Sequence, residues 1–272
     1  MEYSFLGVRG STPASGKNFN KYGGHTSCSL VNLAEREKIV VDTGTGIIGW
    51  GQDLLKNQGG RSLQLSILFT HFHLDHLMGL LFFYPLYSPS TQITFYSSLS
   101  SKSLEKCLSD LMGGRFFPVK FMDTPSKKIF RKIPPGRFRI GGIQISHCPL
   151  KHPQGALAFK FQEKHKSVVL ATDTEHPENG IDTELAAFAH GVDYLIYDAM
   201  LTPSEYKAGK KGWGHSTWEE GIKVAESAQV GHLVLSHFNP IHTDSKIDQI
   251  LSQSKKNFPK TLAAKEGQTI RL

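Results

Sequence analysis

LQLSILFTHFHLDH, residues 63–76, is the stretch that decides how this chain folds. Its first half, Leu63 to Phe69, reads as an apolar strand. Its second half sets three imidazoles (His71, His73, His76) and the carboxylate of Asp75 within six residues. A rigid strand feeding such a loop can hold these side chains in fixed geometry around metal. His71 and His73 stand two apart, and Asp75 with His76 extends the set to a second, neighbouring ion. Imidazole with carboxylate suits zinc, iron or manganese, and the lack of a thiolate argues against a structural zinc finger. The plainer alternative is chance clustering of solvated histidines in a loop.

Outward from this loop, strands and helices alternate. EKIVVDTGTG (37–46) reads as a buried strand entering a Gly-rich turn, and Ile47 to Gln58 as a helix. Leu104, Cys107, Leu108, Leu111 and Met112 recur at helical spacing and predict a helix near 98–112. Ile143 to Cys148, Ala156 to Gln162, Ser167 to Ala171, Tyr194 to Asp198 and His232 to Ser236 read as short strands. Thr217 to Ala228 carries Trp218, Ile222 and Ala225 on one face, with Ser216 as the expected N-cap. Ile247, Ile250, Leu251 and Phe258 mark a last helix. Each half supplies strands followed by helices, the pattern of an α/β fold with two sheets packed face to face and helices outside. No linker rich in Pro, Gly or Ser divides the chain, so one domain over 1–272 is expected.

Composition narrows the function classes. With 39% hydrophobic and 20% charged residues, the chain is ordinary globular protein. The longest apolar run, Leu77 to Tyr87, is too short for a membrane span and contains Gly79 and Pro85. MEYSFLGVRG lacks the pattern of a signal peptide. Three scattered cysteines (Cys28, Cys107, Cys148) without a CxxC fit reduced thiols in a cytoplasm. The net charge of +7 is concentrated at 115–139, where Arg115, Lys120, Lys127, Lys128, Arg131, Lys132, Arg137 and Arg139 face Asp123 alone. That segment is either a basic lobe that concentrates an anionic ligand or a solvated Lys-rich insertion.

HFHLDH matches the HxHxDH signature of the metallo-β-lactamase superfamily, and the chain resembles that family from about residue 5 to residue 240. The resemblance implies a four-layer αββα sandwich and a hydrolase with one or two metals. Further motifs follow in order: Asp42 in VVDTGTG, at the acidic position supporting the metal loop; His152 in PLKHPQG; Asp173 in LATDTEH; and His237 in LSHFNP. Carried over, the resemblance implies one divalent ion on His71, His73, His152 and Asp173. A second would sit on Asp75, His76, Asp173 and His237, with Asp173 bridging. Zinc is the default for so many imidazoles, with manganese or iron compatible. Two ions with a bridging hydroxide leave a positive centre that suits a phosphodiester.

Gly214-His215-Ser216-Thr217, followed by a helix and VLSHF, resembles the GHST pattern of tRNase Z and its phosphodiesterase relatives. In that branch the histidine meets substrate, oriented by a carboxylate whose position matches Asp198 in IYDAM. The resemblance thus assigns the chemistry to Asp75, His215 and Asp198. A departing alkoxide needs a proton, which an imidazolium held by Asp198 can supply; alternatively His215 only caps a helix. The tRNA-gripping arm of tRNase Z has no room between His152 and Asp173, so folded tRNA is not the expected substrate. Small phosphodiesters are expected, 3′,5′-cyclic nucleotides first. A lactonase or thioesterase, a nuclease acting on RNA ends and a nucleotide-binding sensor are the alternatives. Ser11, Thr12, His25 and Thr26, in segments resembling RGSTP and YGG-x-T, are candidate substrate contacts or plain turn residues. Lys207, Lys210 and Lys211 could steer phosphate. The aromatic run 116–121 could stack a base over the pocket or serve as core or dimer interface, leaving a homodimer open. His147, His176 and His242 are not needed to complete the ligand set.

Overall fold

Residues buried on both faces of a strand read as continuous apolar runs, and such runs form the middle of this molecule. The computed structural model describes residues 1–33, 37–59 and 61–272. In chain order the first half contains β1 (Glu2–Gly7), β2 (Cys28–Leu33), β3 (Glu37–Val41), α1 (Ile47–Gln58), β4 (Leu63–Leu68), β5 (Thr91–Ser97), α2 (Ser101–Leu111) and β6 (Lys127–Lys132). The second half contains β7 (Arg137–Ile140), β8 (Ile143–Leu150), β9 (Ala156–Glu163), β10 (Lys166–Ala171), α3 (Thr183–Phe188), β11 (Tyr194–Asp198), a single turn α4 (Pro203–Glu205), α5 (Trp218–Ser227), β12 (His232–Ser236), α6 (Asp244–Asn257), β13 (Thr261–Ala263) and β14 (Thr269–Arg271).

Among the described residues the strands form two seven-stranded sheets, in the orders β14-β1-β2-β3-β4-β5-β6 and β13-β12-β11-β10-β9-β8-β7. Period-two alternation sorts the first sheet's side chains. Val31, Ile39 and Val41 join Phe159, Phe161 and Leu170 of the second sheet in one core. Leu30, Val40, Leu65, Ile67 and Phe95 face the other way, onto Ile47 of α1 and Leu104 and Leu108 of α2. Leu185 of α3, Ile222 of α5 and Ile247 of α6 cover the second sheet. The layers are therefore the expected αββα sandwich. The cap of α5 differs from the expectation: the Thr217 hydroxyl accepts from Glu220 N at 3.4 Å. Ser216 points inward instead, bonding Tyr197 and His176.

The basic segment is not an insertion. It supplies β6 and β7, the edge strand of each sheet, with Lys127, Arg131, Lys132, Arg137 and Arg139 exposed. Charged edges resist pairing with other chains, which explains the concentration of lysine and arginine there. The aromatic run 116–121 divides: Phe121 enters the core, Phe116 is exposed, and Phe117 lines an apolar groove with Ile48, Leu81, Phe82, Tyr84 and Tyr87. None of the candidate metal ligands lines that groove. The three cysteines are free. No helix among the described residues is long and apolar enough to cross a membrane.

Candidate active site

Strand ends build the site. Asp42 follows β3, the HFHLDH loop follows β4, His152 follows β8, Asp173 follows β10, Asp198 ends β11 and His237 follows β12. Both sheets thus deliver side chains to one place. Asp42, Asp173 and His237 each take a left-handed backbone, with φ of 60°, 63° and 59°. Non-glycine residues hold that conformation at a cost, tolerated where the surroundings enforce it and recurrent at functional sites.

The histidines form a chain of fixed tautomers. His76 Nδ1 donates to Asp42 Oδ2 at 2.8 Å. Thr70 Oγ1 donates to the same oxygen at 2.8 Å and so accepts from His71 Nδ1 at 3.0 Å. His237 Nδ1 meets Ser27 Oγ at 2.8 Å, and Ser27 passes its proton to the Arg9 carbonyl. His152 Nδ1 donates to the Gly214 carbonyl at 2.9 Å. These bonds, from which the tautomers are assigned, leave Nε2 of each ring facing the cluster, with His152 Nε2 3.0 Å from His73 Nδ1. The Nε2 atoms of His71, His76 and His237 and Oδ2 of Asp173 are buried without any hydrogen-bond partner. Unpartnered buried nitrogens and a carboxylate oxygen that converge in this way fit cations, which bind the rings once deprotonated.

Among the described residues, four overlapping groups of donor atoms each lie within 4.8 Å: His71, His73 and His152; Asp75, His76 and His237; and two that overlap them through Asp173, one with His71 and His76 and one with Asp198, His215 and His237. Asp173 lies between the first two, its Oδ1 3.2 Å from His237 Nε2 and 3.8 Å from His71 Nε2, its Oδ2 3.2 Å from His76 Nε2. The residues present therefore fit a pair of divalent ions with Asp173 shared. In the ion-free site, burial opposes the ionised forms of Asp75 and Asp173. The neighbouring imidazoles outweigh it and hold both carboxyls below the usual carboxylate range. Burial likewise opposes charge on His76, but Asp173, Asp75 and Asp42 hold that imidazole protonated well above its ordinary range.

His215 stands against this cluster, its ring 5.3 Å from that of His237 and 5.7 Å from that of His152. Its Nδ1 bonds Asp198 Oδ2 at 3.0 Å. Burial opposes charge on His215, yet Asp198, with help from Asp173 and Asp75, pushes its pKa up to about 9. Asp198 also accepts from the backbone amides of Asp173, Met200 and Ser216. It therefore orients the candidate acid and the shared carboxylate together.

The glycine-rich loops separate. Ser11 donates its amide to Asp75 Oδ2 at 2.7 Å. Thr12 is exposed, with its hydroxyl on the Pro13 carbonyl. His25 is exposed and bonded to Thr45 Oγ1 at 3.1 Å. Thr26 is fully buried, and its hydroxyl accepts the Thr45 amide. Lys210 lies over the Trp213 ring and Lys211 pairs with Glu178. His242 bonds Glu205, and His147 meets the Pro134 carbonyl. Sequence reasoning passed over Ser27, Thr70, the Gly214 carbonyl and Glu175, because each acts through partners it does not neighbour in the chain, or, for Thr70, through a hydroxyl that any strand end carries.

Sandwich and centre together define a metal-dependent hydrolase. The Beta-lactamase superfamily domain matches residues 37–238, and the chain belongs to that superfamily, in its tRNase Z-like branch. It is 24% identical to Ribonuclease Z of Thermoplasma acidophilum over 243 residues, 74% of this chain and 77% of the relative. Among solved structures it resembles the human tRNase Z short form (TM-score 0.68, 19% identity, 100% of this chain and 99% of the other). It also resembles a diphosphatase from the PhnP family (TM-score 0.68, 16% identity, 100% and 97%).

Proposed function

We propose that the chain is a dinuclear metal-dependent phosphodiesterase acting on small phosphodiesters, with 3′,5′-cyclic nucleotides the first substrates to try. The observation that carries this reading is the His215–Asp198 pair, bonded at 3.0 Å, beside the histidine cluster. His71, His73 and His152 would hold one ion, Asp75, His76 and His237 the other, and Asp173 both. Zinc is the first choice for so imidazole-rich a set, and manganese or iron accept the same donors. Such an ion pair, when bound, supplies hydroxide near neutral pH and neutralises charge on the phosphoryl oxygens. Asp198 keeps the proton on His215 Nδ1, so the protonated ring can donate from Nε2 to the departing alkoxide. Phosphodiester cleavage needs that proton, whereas a thiolate leaves without one, which favours this reading over a thioesterase.

The named activities of the Ribonuclease Z relative and the PhnP-family diphosphatase support phosphoryl chemistry. A small substrate is supported by the segment from His152 to Asp173, filled by β9 and β10 with a tight turn at Lys164–His165 and no projecting arm. Ser11, Thr12 and His25 are the proposed rim contacts, and three free cysteines support a reducing compartment.

The test is turnover of 3′,5′-cyclic AMP by metal-reconstituted protein beside His215→Ala. Accumulation of AMP, with the variant slower by about 10²–10⁴-fold, is the expected result. Ions bound with cyclic AMP untouched would remove cyclic nucleotides from the reading. A nuclease acting on RNA ends is the second reading, favoured by the Ribonuclease Z relative and the basic edge strands. RNA affinity falling steeply with salt would reveal it.

A further inference from the structure

Two residues beyond Asp173, Glu175 is buried, and its carboxylate takes part in none of the donor groups described above. Its Oε1 accepts from Tyr206 Oη and Gly212 N, both at 2.8 Å, and its Oε2 accepts from Gly214 N at 2.9 Å. Its own amide donates to the Lys151 carbonyl at 2.7 Å. Glu175 therefore stitches together the two segments that bracket His152: residue 151 on one side and the 206–214 loop on the other. Gly214 sits at φ 83°, where its carbonyl accepts His152 Nδ1–H, and a Cβ there would collide with the His152 ring. His215 is the next residue.

We propose that Glu175 is a positioning residue: by clamping the 206–214 loop it seats the Gly214 carbonyl on His152 and sets His215 against the metal-ligand cluster. The His215 half of this inference rests on the phosphodiesterase reading; the His152 half does not. The clamp requires a carboxylate. Three donors converge on it, and a glutamine keeps acceptor lone pairs at one end only. In Glu175→Gln the oxygen can retain Tyr206 and Gly212, but the amide NH2 then opposes the Gly214 N–H. The bond lost is the one that steadies the partner of His152. Supporting groups of this kind orient a ligand ring and tune its donor strength.

The experiment uses the full chain loaded with Co2+, whose visible absorption reports ligand geometry, for the parent, Glu175→Gln and Tyr206→Phe. In Glu175→Gln the cobalt bands are expected to shift, and the turnover number of cyclic AMP to fall about tenfold with KM little changed. Tyr206→Phe, which removes one donor and leaves the carboxylate, is expected to move both readouts less and in the same direction. A Glu175→Gln spectrum superimposable on the parent's overturns the proposal. Should Glu175→Gln fail to fold, Tyr206→Phe decides alone: shifted bands support the clamp, and unchanged bands overturn it. If the parent turns over no phosphodiester, the functional reading falls while the cobalt spectra still judge Glu175.

Discussion

Thr70 takes a proton from one side and gives one to the other, accepting from His71 Nδ1 and donating to Asp42 Oδ2. Asp42 also receives His76 Nδ1, so a single carboxylate governs one histidine in each of the two groups proposed to hold an ion. The two links can be cut separately. Thr70→Val keeps the shape and removes the acceptor of His71 together with the hydroxyl donor to Asp42, which keeps His76 Nδ1 and the Thr70 amide. It should weaken the ion held by His71, His73 and His152 about 10–100-fold and leave the other nearly unchanged. Asp42→Asn removes the charge that draws the Thr70 hydroxyl and His76 Nδ1 and should weaken both ions. Stepwise chelator competition, read as ions retained per chain, checks this. Equal loss of the two ions from Thr70→Val would contradict the division into two groups.

Short elements hold the candidate acid, and α5 is the most direct of them. It begins at Trp218, right after His215 and Ser216, and its first turn is fixed by the Thr217 hydroxyl on Glu220 N. Thr217→Ala should cost about 1 kcal/mol and lower the melting temperature by roughly 2–4 °C. An unchanged melting temperature would mean that tertiary contacts alone hold the turn. Elements differ in how openly the sequence displays them. β3, β10, β11 and β12 were readable because burial on both faces leaves nearly continuous apolar runs, and β4 because its apolar residues alternate with Gln64 and Ser66. β6 (KKIFRK) and β7 were not, since edge strands carry solvated charge, and α3 has too few residues to express a helical period. His71, His73 and His76 stood out by their spacing along one loop, while His152 and His237 were legible only through the family resemblance. Their supports did not: Ser27 meets His237 across 210 residues and Gly214 meets His152 across 62, distances that only the closed fold brings together. The left-handed turns at Asp42, Asp173 and His237 were equally hidden, since nothing in residue type alone announces a positive φ.

At the scale of the whole molecule, the cluster lies where the strand ends of both sheets meet, so ions bound there join the two halves of the sandwich. Each ion that binds only the folded chain stabilises it by about 4 kcal/mol at a thousandfold excess over Kd, so chelating both should lower the melting temperature by roughly 16–32 °C. The size of that drop should depend on pH, with a definite sign. In the ion-free chain the three carboxylates hold His76 protonated well above its ordinary range. That charge stabilises the ion-free fold fully below the unfolded histidine value of about 6.5, and the contribution is lost as pH rises through the elevated folded value. A metal ion, in contrast, needs the neutral ring and expels its proton, so raising the pH strengthens binding. Asp75 and Asp173, already ionised below the usual range, do not titrate in this window. Both statements describe the same His76 proton, whose release on metal binding should widen the gap between metal-loaded and chelated melting temperatures steadily from pH 5.5 to 8. Scanning calorimetry of the two forms across that range measures it. A gap that narrows with pH would mean that His76 is not a ligand, and no gap at any pH would mean that no ions bind at this centre.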